Sequence, residues 1–150
     1  PSGGAKFQGA VIGVDGRIYG TPRSNSNICV VDPVAGTVST TSVSVDSGST
    51  FSGSLKFNSG TLAQDGKIYC IPRDSPSIGV IDPATSSFSS TAVVASSGST
   101  LSISNQYVGG VLAPNGKIYG LPADATSILE ITPGFPTLQP WMIAPEFNKF

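Results

Sequence analysis

Eight residues recur three times along the chain. They read Asp15-Gly16-Arg17-Ile18-Tyr19-Gly20-Thr21-Pro22, then Asp65-Gly66-Lys67-Ile68-Tyr69-Cys70-Ile71-Pro72, then Asn115-Gly116-Lys117-Ile118-Tyr119-Gly120-Leu121-Pro122. The glycines at 16, 66 and 116 stand 50 residues apart. A period of this length constrains the fold more than any other feature. Each unit is a single supersecondary motif that cannot bury its apolar face alone, so neighbouring units must stack.

Within each unit the pattern is that of strands. The segments Lys6 to Ile12, Lys56 to Leu62 and Gln106 to Leu112 carry an aromatic, then small residues, then aliphatics. Glycine in such a strand marks a close approach of another backbone. Asp-Gly or Asn-Gly follows, which predicts a tight type I′ hairpin turn. The second strand runs Arg17 to Thr21, Lys67 to Ile71 and Lys117 to Leu121. Its Ile-Tyr pair points to opposite faces, so both faces are expected to be covered. Proline at 22, 72 and 122 closes that strand. After a polar loop, a β-branched third strand covers Asn27 to Val31, Ser77 to Ile81 and Ser127 to Ile131. A hydroxyl-rich fourth segment, Thr37 to Val45 and Ser87 to Val94, is predicted as an exposed edge strand. Gly/Ser-rich loops return the chain, with Phe51 and Leu101 placed to pin them. No window shows helical periodicity.

Four short strands per 50 residues, repeated in tandem, indicate an all-β chain of four-stranded antiparallel β-propeller blades. The expected boundaries are about 6–55, 56–105 and 106–150 within one repeat domain. The pattern G-[KR]-I-Y-x-x-P, an apolar strand, then Asp-Pro at 32–33 and 82–83, resembles kelch-like propeller repeats. The resemblance covers nearly the whole chain and implies a scaffold used for binding. The paired Tyr and Trp of true kelch blades and the WD dipeptide are absent. Propellers close with about 4–8 blades, so three blades form a partial ring, completed by a missing segment or by dimerisation. The opening Pro1-Ser2-Gly3-Gly4 reads as a processed or partial chain, and Asn148-Lys149-Phe150 echoes the start of a fourth unit. A β-prism or open stacked sheet is the alternative architecture.

Composition narrows the function. Charged residues make up 11% and the net charge is −1, which gives no electrostatic basis for nucleic-acid binding. No apolar run is long enough for a membrane helix. The Ser/Thr/Gly-rich polar positions point to an extracellular or cell-surface setting. There is no histidine, so no Ser-His-Asp triad can form within these residues. No nucleophile elbow, P-loop or metal-binding motif occurs. The expectation is therefore a non-enzymatic chain with no catalytic residue, metal or cofactor. Cys29 and Cys70 lie in different units and read as two buried thiols.

Tyr19, Tyr69 and Tyr119 could form a platform for sugar rings, but their repetition at the strand centre favours packing between blades. Asp15, Asp65 and Asn115 could ligate calcium, but the following glycine favours turn chemistry. The preferred site is the loop after the second strand, with Arg23, Asn25, Arg73, Asp74 and Asp124. Loops of one type collect on one face of a propeller, and charge varies here between units. Trp141, the single tryptophan, is a candidate interface residue. The expected function is a scaffold for protein or glycan binding or for structural assembly, through self-association or further blades. The alternative is a fragment of a larger propeller enzyme or lectin.

Overall fold

The computed structural model describes residues 5–41, 44–45, 54–92 and 104–134. The chain is all-β, with no helix among these residues. The first sheet is β1 (Phe7–Ile12), β2 (Ile18–Pro22), β3 (Ile28–Asp32) and β4 (Thr37–Thr41), in chain order. The second contains β6 (Phe57–Leu62), β7 (Ile68–Pro72), β8 (Ser77–Asp82) and β9 (Ser87–Ala92), with β5 (Ser44–Val45) added outside β9. The third is β10 (Tyr107–Leu112), β11 (Ile118–Pro122) and β12 (Leu129–Ile131). All pairings are antiparallel except β5 with β9, which is parallel.

The hairpin turns differ from expectation. A type I′ turn needs positive φ at both central residues, yet only the glycine has it: Gly16 at 79°, Gly66 at 80° and Gly116 at 79°. The N–H of Gly16 donates to the Gly13 carbonyl at 3.0 Å, and Gly13 and Arg17 close the loop at 2.8 Å. Bonds of the same kind recur in the second and third sheets. This is a type I turn followed by a left-handed glycine, the three-residue hairpin loop. The aspartate has a different task. Asp65 accepts the Lys67 backbone N–H at 3.1 Å and the Tyr69 hydroxyl at 2.8 Å. Asp15 holds Arg17 and Tyr19 in the same way. Asn115 reverses the second bond, its amide donating to the Tyr119 hydroxyl at 3.0 Å. The repeated Asp-Gly-x-Ile-Tyr is thus a turn clamped to its own strand. Burial and then the adjacent carboxylate push both Tyr19 and Tyr69 up to about 12.

The fourth segment is also corrected. The stretch 37–45 is not one strand, because β4 closes the first sheet and β5 crosses to the second. It therefore covers the β9 edge that would otherwise offer unpaired backbone groups. Within β9, Phe88 is buried against Phe57, with ring centroids 6.2 Å apart.

The inner strands β1, β6 and β10 lie side by side, with β6 against both others. Here the small residues matter. A Cβ on Gly110 would come within 2.7 Å of the Ile71 side chain. One core cluster joins the first and second sheets through Tyr19, Ile28, Phe57, Ile68, Cys70, Ile81 and Phe88. The other joins the second and third through Tyr69, Ile71, Tyr107, Ile118, Leu129 and Ile131. Each fully buried aliphatic or aromatic side chain contributes about 1.5–3 kcal/mol, so these two seams hold the sheets in a row. Both faces of the middle sheet are covered, as the Ile-Tyr pair requires. Among the described residues, the end sheets are covered on one face only. Val38 on the first sheet and Leu121 on the third are 69% and 57% exposed. Cys70 is buried, which pushes its thiol up, whereas Cys29 is half-exposed; neither forms a disulfide. Phe51, Leu101 and Trp141 lie outside the described residues.

Candidate functional site

Two ends of the sheets carry polar chains. The turn end bears the β1–β2 type hairpins and the loops after β3 and β8. There, Arg17 Nε reaches Asp32 at 3.4 Å and Lys67 Nζ reaches Asp82 at 3.5 Å. Lys117 bonds Glu130 at the same place in the third sheet. Asp32 is held below the usual carboxylate range by the backbone N–H groups of Ala35 and Val34 and by Arg17. A cavity of about 240 Å³ opens here between the first two sheets, with Ile28, Val30 and Ile81 as walls and Arg17 and Asp32 at its rim. Its charged groups already satisfy one another.

The opposite, loop end is built differently. Arg23 donates its N–H to the Lys6 carbonyl at 2.9 Å, and the Arg23 carbonyl accepts the Lys56 N–H at 2.8 Å. Lys56 in turn accepts from Arg73, Arg73 from Gln106, and Gln106 from Ala123, each at 2.8 Å. One unbroken belt of backbone hydrogen bonds therefore runs through all three sheets. Residues joined this way lie about 5 Å apart. Lys6, Arg23, Lys56 and Arg73 occupy successive steps, half of the chain's eight Lys and Arg residues.

The belt is set by the residue before it. Leu55 and Asn105 take left-handed φ values of 60° and 48°, which turns the chain into the inner strand. Asparagine tolerates that region and leucine does not. Asp74 caps the second of these turns, its carboxylate accepting the Asn105 N–H at 2.7 Å. The same carboxylate pairs with Arg73 at 3.3 Å. Asp124 accepts from the Asn105 amide at 3.2 Å, and Asn25 accepts the Asn27 N–H at 3.2 Å. Gln106 is 1% exposed, and its amide donates to the Ser75 carbonyl at 2.9 Å.

Arg23, Asn25, Arg73, Asp74 and Asp124 thus come to one end of the sheets, and Arg23, Arg73 and Asp74 also stitch sheet to sheet. Lys6, Lys56 and Gln106 escaped the sequence reading. Their signal was present: Lys6 and Lys56 stand 17 residues before Arg23 and Arg73. Lys56 is 4% exposed, and burial lowers its pKa. The Nε of Arg23 is buried with no hydrogen-bond acceptor among the described residues. No group of three or more potential metal ligands occurs among the described residues, and they contain no helix long and apolar enough to cross a membrane.

No family model matches the sequence, and no curated protein matches it. Solved structures do. The catalytically inactive H270A virginiamycin B lyase from Staphylococcus aureus, with quinupristin, superposes at TM-score 0.55 and 16% identity, over 83% of this chain and 40% of that one. The extracellular domain of BT4673 from B. thetaiotaomicron gives TM-score 0.58 at 14% identity, over 87% of this chain and 16% of that one. Kuenenia stuttgartiensis hydrazine synthase gives TM-score 0.55 at 15% identity, covering 85% and 32%. The chain spans about two fifths of the length of the lyase chains it matches.

These neighbours are β-propeller-type proteins, and the three sheets have the propeller fold. They do not single out kelch-like repeats. They also overturn the expectation of a non-enzymatic chain. A lyase is among the proteins that share this arrangement, so the architecture is one that carries catalysis. The physical error was to argue from the absence of histidine, which excludes a Ser-His-Asp triad but not catalysis by other groups.

Proposed function

We propose that the chain is a segment of a kelch-like β-propeller that serves as a binding scaffold, extracellular or surface-associated, and meets a protein or glycan at its loop end. The observation that carries this reading is the contrast between the two ends. Cations at the turn end are paired within each sheet, whereas at the loop end the Arg23 Nε has no acceptor among the described residues, and Arg23 stands at one end of the sheets with Asn25, Arg73, Asp74 and Asp124. Polar side chains on a loop face are what a ligand meets first. A glycan and protein panel tests it, using Asn25→Ala with Asp124→Ala against the turn-end control Lys67→Ala. Binding lost only in the loop-end variant supports the reading. Binding lost only in the control places the site at the turn end.

The open end faces favour a second reading, in which further blades complete the ring. Leu121 and Ile128 on the third sheet stand 50 residues after Ile71 and Ile78, which the third sheet covers. A further blade, from a longer chain or from a second copy, would cover them alike. In a longer chain the whole is a propeller enzyme or lectin whose active loops lie beyond these residues. Light scattering separates the sources. A doubled mass that reverts with Leu121→Lys supports a second copy, and a monomer at high concentration opposes it.

A further inference from the structure

We propose that a second copy of this chain closes the ring head to tail, the third sheet of each copy packing on the first sheet of the other in a two-fold dimer of six blades. This rests on the reading that further blades complete the ring, and it names the partner. The first support is the register of the open faces. The forward face of the first two sheets packs on the next sheet, and there Tyr19, Ile28, Tyr69 and Ile71 are all buried. Their counterparts on the third sheet, at the same step of the 50-residue repeat, are Tyr119, Leu121 and Ile128. Leu121 and Ile128 are exposed, and Tyr119 is half-buried. On the rear face of the second sheet, Phe57, Ile68, Ile81 and Phe88 are buried against the first. The first sheet carries Phe7, Ile18, Val31 and Val38 at those steps; the first three are half-buried and Val38 is exposed. One chain therefore holds both halves of a seam like the two it already makes.

The second support is the backbone belt. The Arg23 carbonyl accepts the N–H of Lys56, and the Arg73 carbonyl accepts that of Gln106, each 33 residues on. Among the described residues, the belt ends at the Ala123 carbonyl and at the Lys6 N–H. Ala123 follows Arg73 by 50 residues, and Lys6 precedes Lys56 by 50. With the first sheet of a second copy seated after the third, its Lys6 N–H takes the step that Lys56 and Gln106 take and donates to the Ala123 carbonyl. Packing and backbone bonding thus call for the same neighbour.

The third support is charge and count. Lys117 and Glu130, at the edge of the open third-sheet face, pair with each other, as Arg17 and Asp32 do beside the first seam. Docking therefore strands neither charge, which would be costly. Two copies of three sheets make six, within the about 4–8 blades of closed propellers. A two-fold axis, the commonest oligomer symmetry, covers both open faces at once.

The test is light scattering on the full chain across a concentration series, with a circular dichroism spectrum of each variant to check the fold. The unaltered chain is expected at twice its own mass. Leu121→Lys and Val38→Lys change exposed positions, so both should fold. Each places an unpaired charge in both seams and is expected to weaken the dimer at least about tenfold. Mixed together, the two variants regain one unaltered seam and should associate more tightly than either alone. Ala10 holds the step of Gly60 and Gly110, which receive Thr21 and Ile71. Ala10→Gly should therefore tighten the dimer, and a looser one opposes the register of the seam. A dimer that Val38→Lys leaves intact overturns the head-to-tail pairing and leaves the open-face reading standing. A mass that keeps growing with concentration overturns the closed ring. A monomer overturns the second copy, and if its Trp141 emission shifts with Leu121→Lys, the third-sheet face belongs to the chain's own last residues. For a monomer, two copies joined by a Gly/Ser linker separate the two readings. A Tm above that of the single chain keeps the open-face reading, and an unchanged Tm overturns both.

Discussion

Removing the hydroxyl of Tyr69 should expose how much the repeated motif contributes to stability. The hydroxyl donates to Asp65 at 2.8 Å, and Tyr69 is 9% exposed. A hydrogen bond to a charged group contributes about 1.5–3 kcal/mol net. Tyr69→Phe keeps the ring in its seam and should cost about 2 kcal/mol, or about 4–8 °C in Tm for a chain of this size. Asp65→Ala removes that bond and the one to the Lys67 backbone N–H. It also leaves the Tyr69 hydroxyl without its acceptor, so it should cost about 2–4 kcal/mol. In a double-mutant cycle the two changes should couple by about 1–2 kcal/mol. Asp65→Asn should cost less than Asp65→Ala, because Asn115 makes the equivalent clamp with reversed polarity. Urea unfolding followed by fluorescence measures all four variants. Additive effects, each below about 0.5 kcal/mol, would show that the aspartate is only a turn former and refute the clamp.

Other outcomes follow from the same geometry. Gly66→Ala should destabilise by about 1–2 kcal/mol for conformational reasons alone, since an added Cβ would meet Val14 only at 3.6 Å. Leu55→Asn should act in the opposite sense, raising the urea midpoint, because Leu55 holds a φ of 60° where the next unit has Asn105. Gly110→Ala should cost about 1–3 kcal/mol by overpacking Ile71, and Ile71→Val should recover part of that loss. Stability should also fall at high pH. Tyr19 and Tyr69 rise from 10.0 to about 12 in the folded chain. Their stabilising effect is complete below pH 10 and is lost as pH climbs through about 12. A urea midpoint unchanged between pH 9 and the start of alkaline unfolding would contradict this.

Much of the fold was legible before any coordinates. The 50-residue spacing, the Asp-Gly turns and the prolines after each second strand set the strands and their antiparallel pairing, because those signals act within a few residues. The turn type was misjudged. Asp-Gly is common to both hairpin loops, and only a third loop residue, Val14, inside the closing pair of Gly13 and Arg17, separates them. The split of 37–45 between two sheets was also hidden, since alternation identifies a strand without naming its partner.

The loop end shows the same division. Its variable charges were visible as a polar loop beyond Pro22, Pro72 and Pro122. That this loop exchanges backbone hydrogen bonds with Lys56 and Gln106 was not, because those partners come from the next unit, 33 residues on from Arg23 and Arg73 alike. The sequence by itself determined the repeated unit: its strands and the places of its turns, all set by signals between near neighbours in the chain. Only the tertiary structure decided which sheet each strand joined, which faces stayed open and which cations came to share one belt. Those depend on hydrogen bonds and packing between units, and no local pattern encodes the partner of a backbone group that lies one blade away.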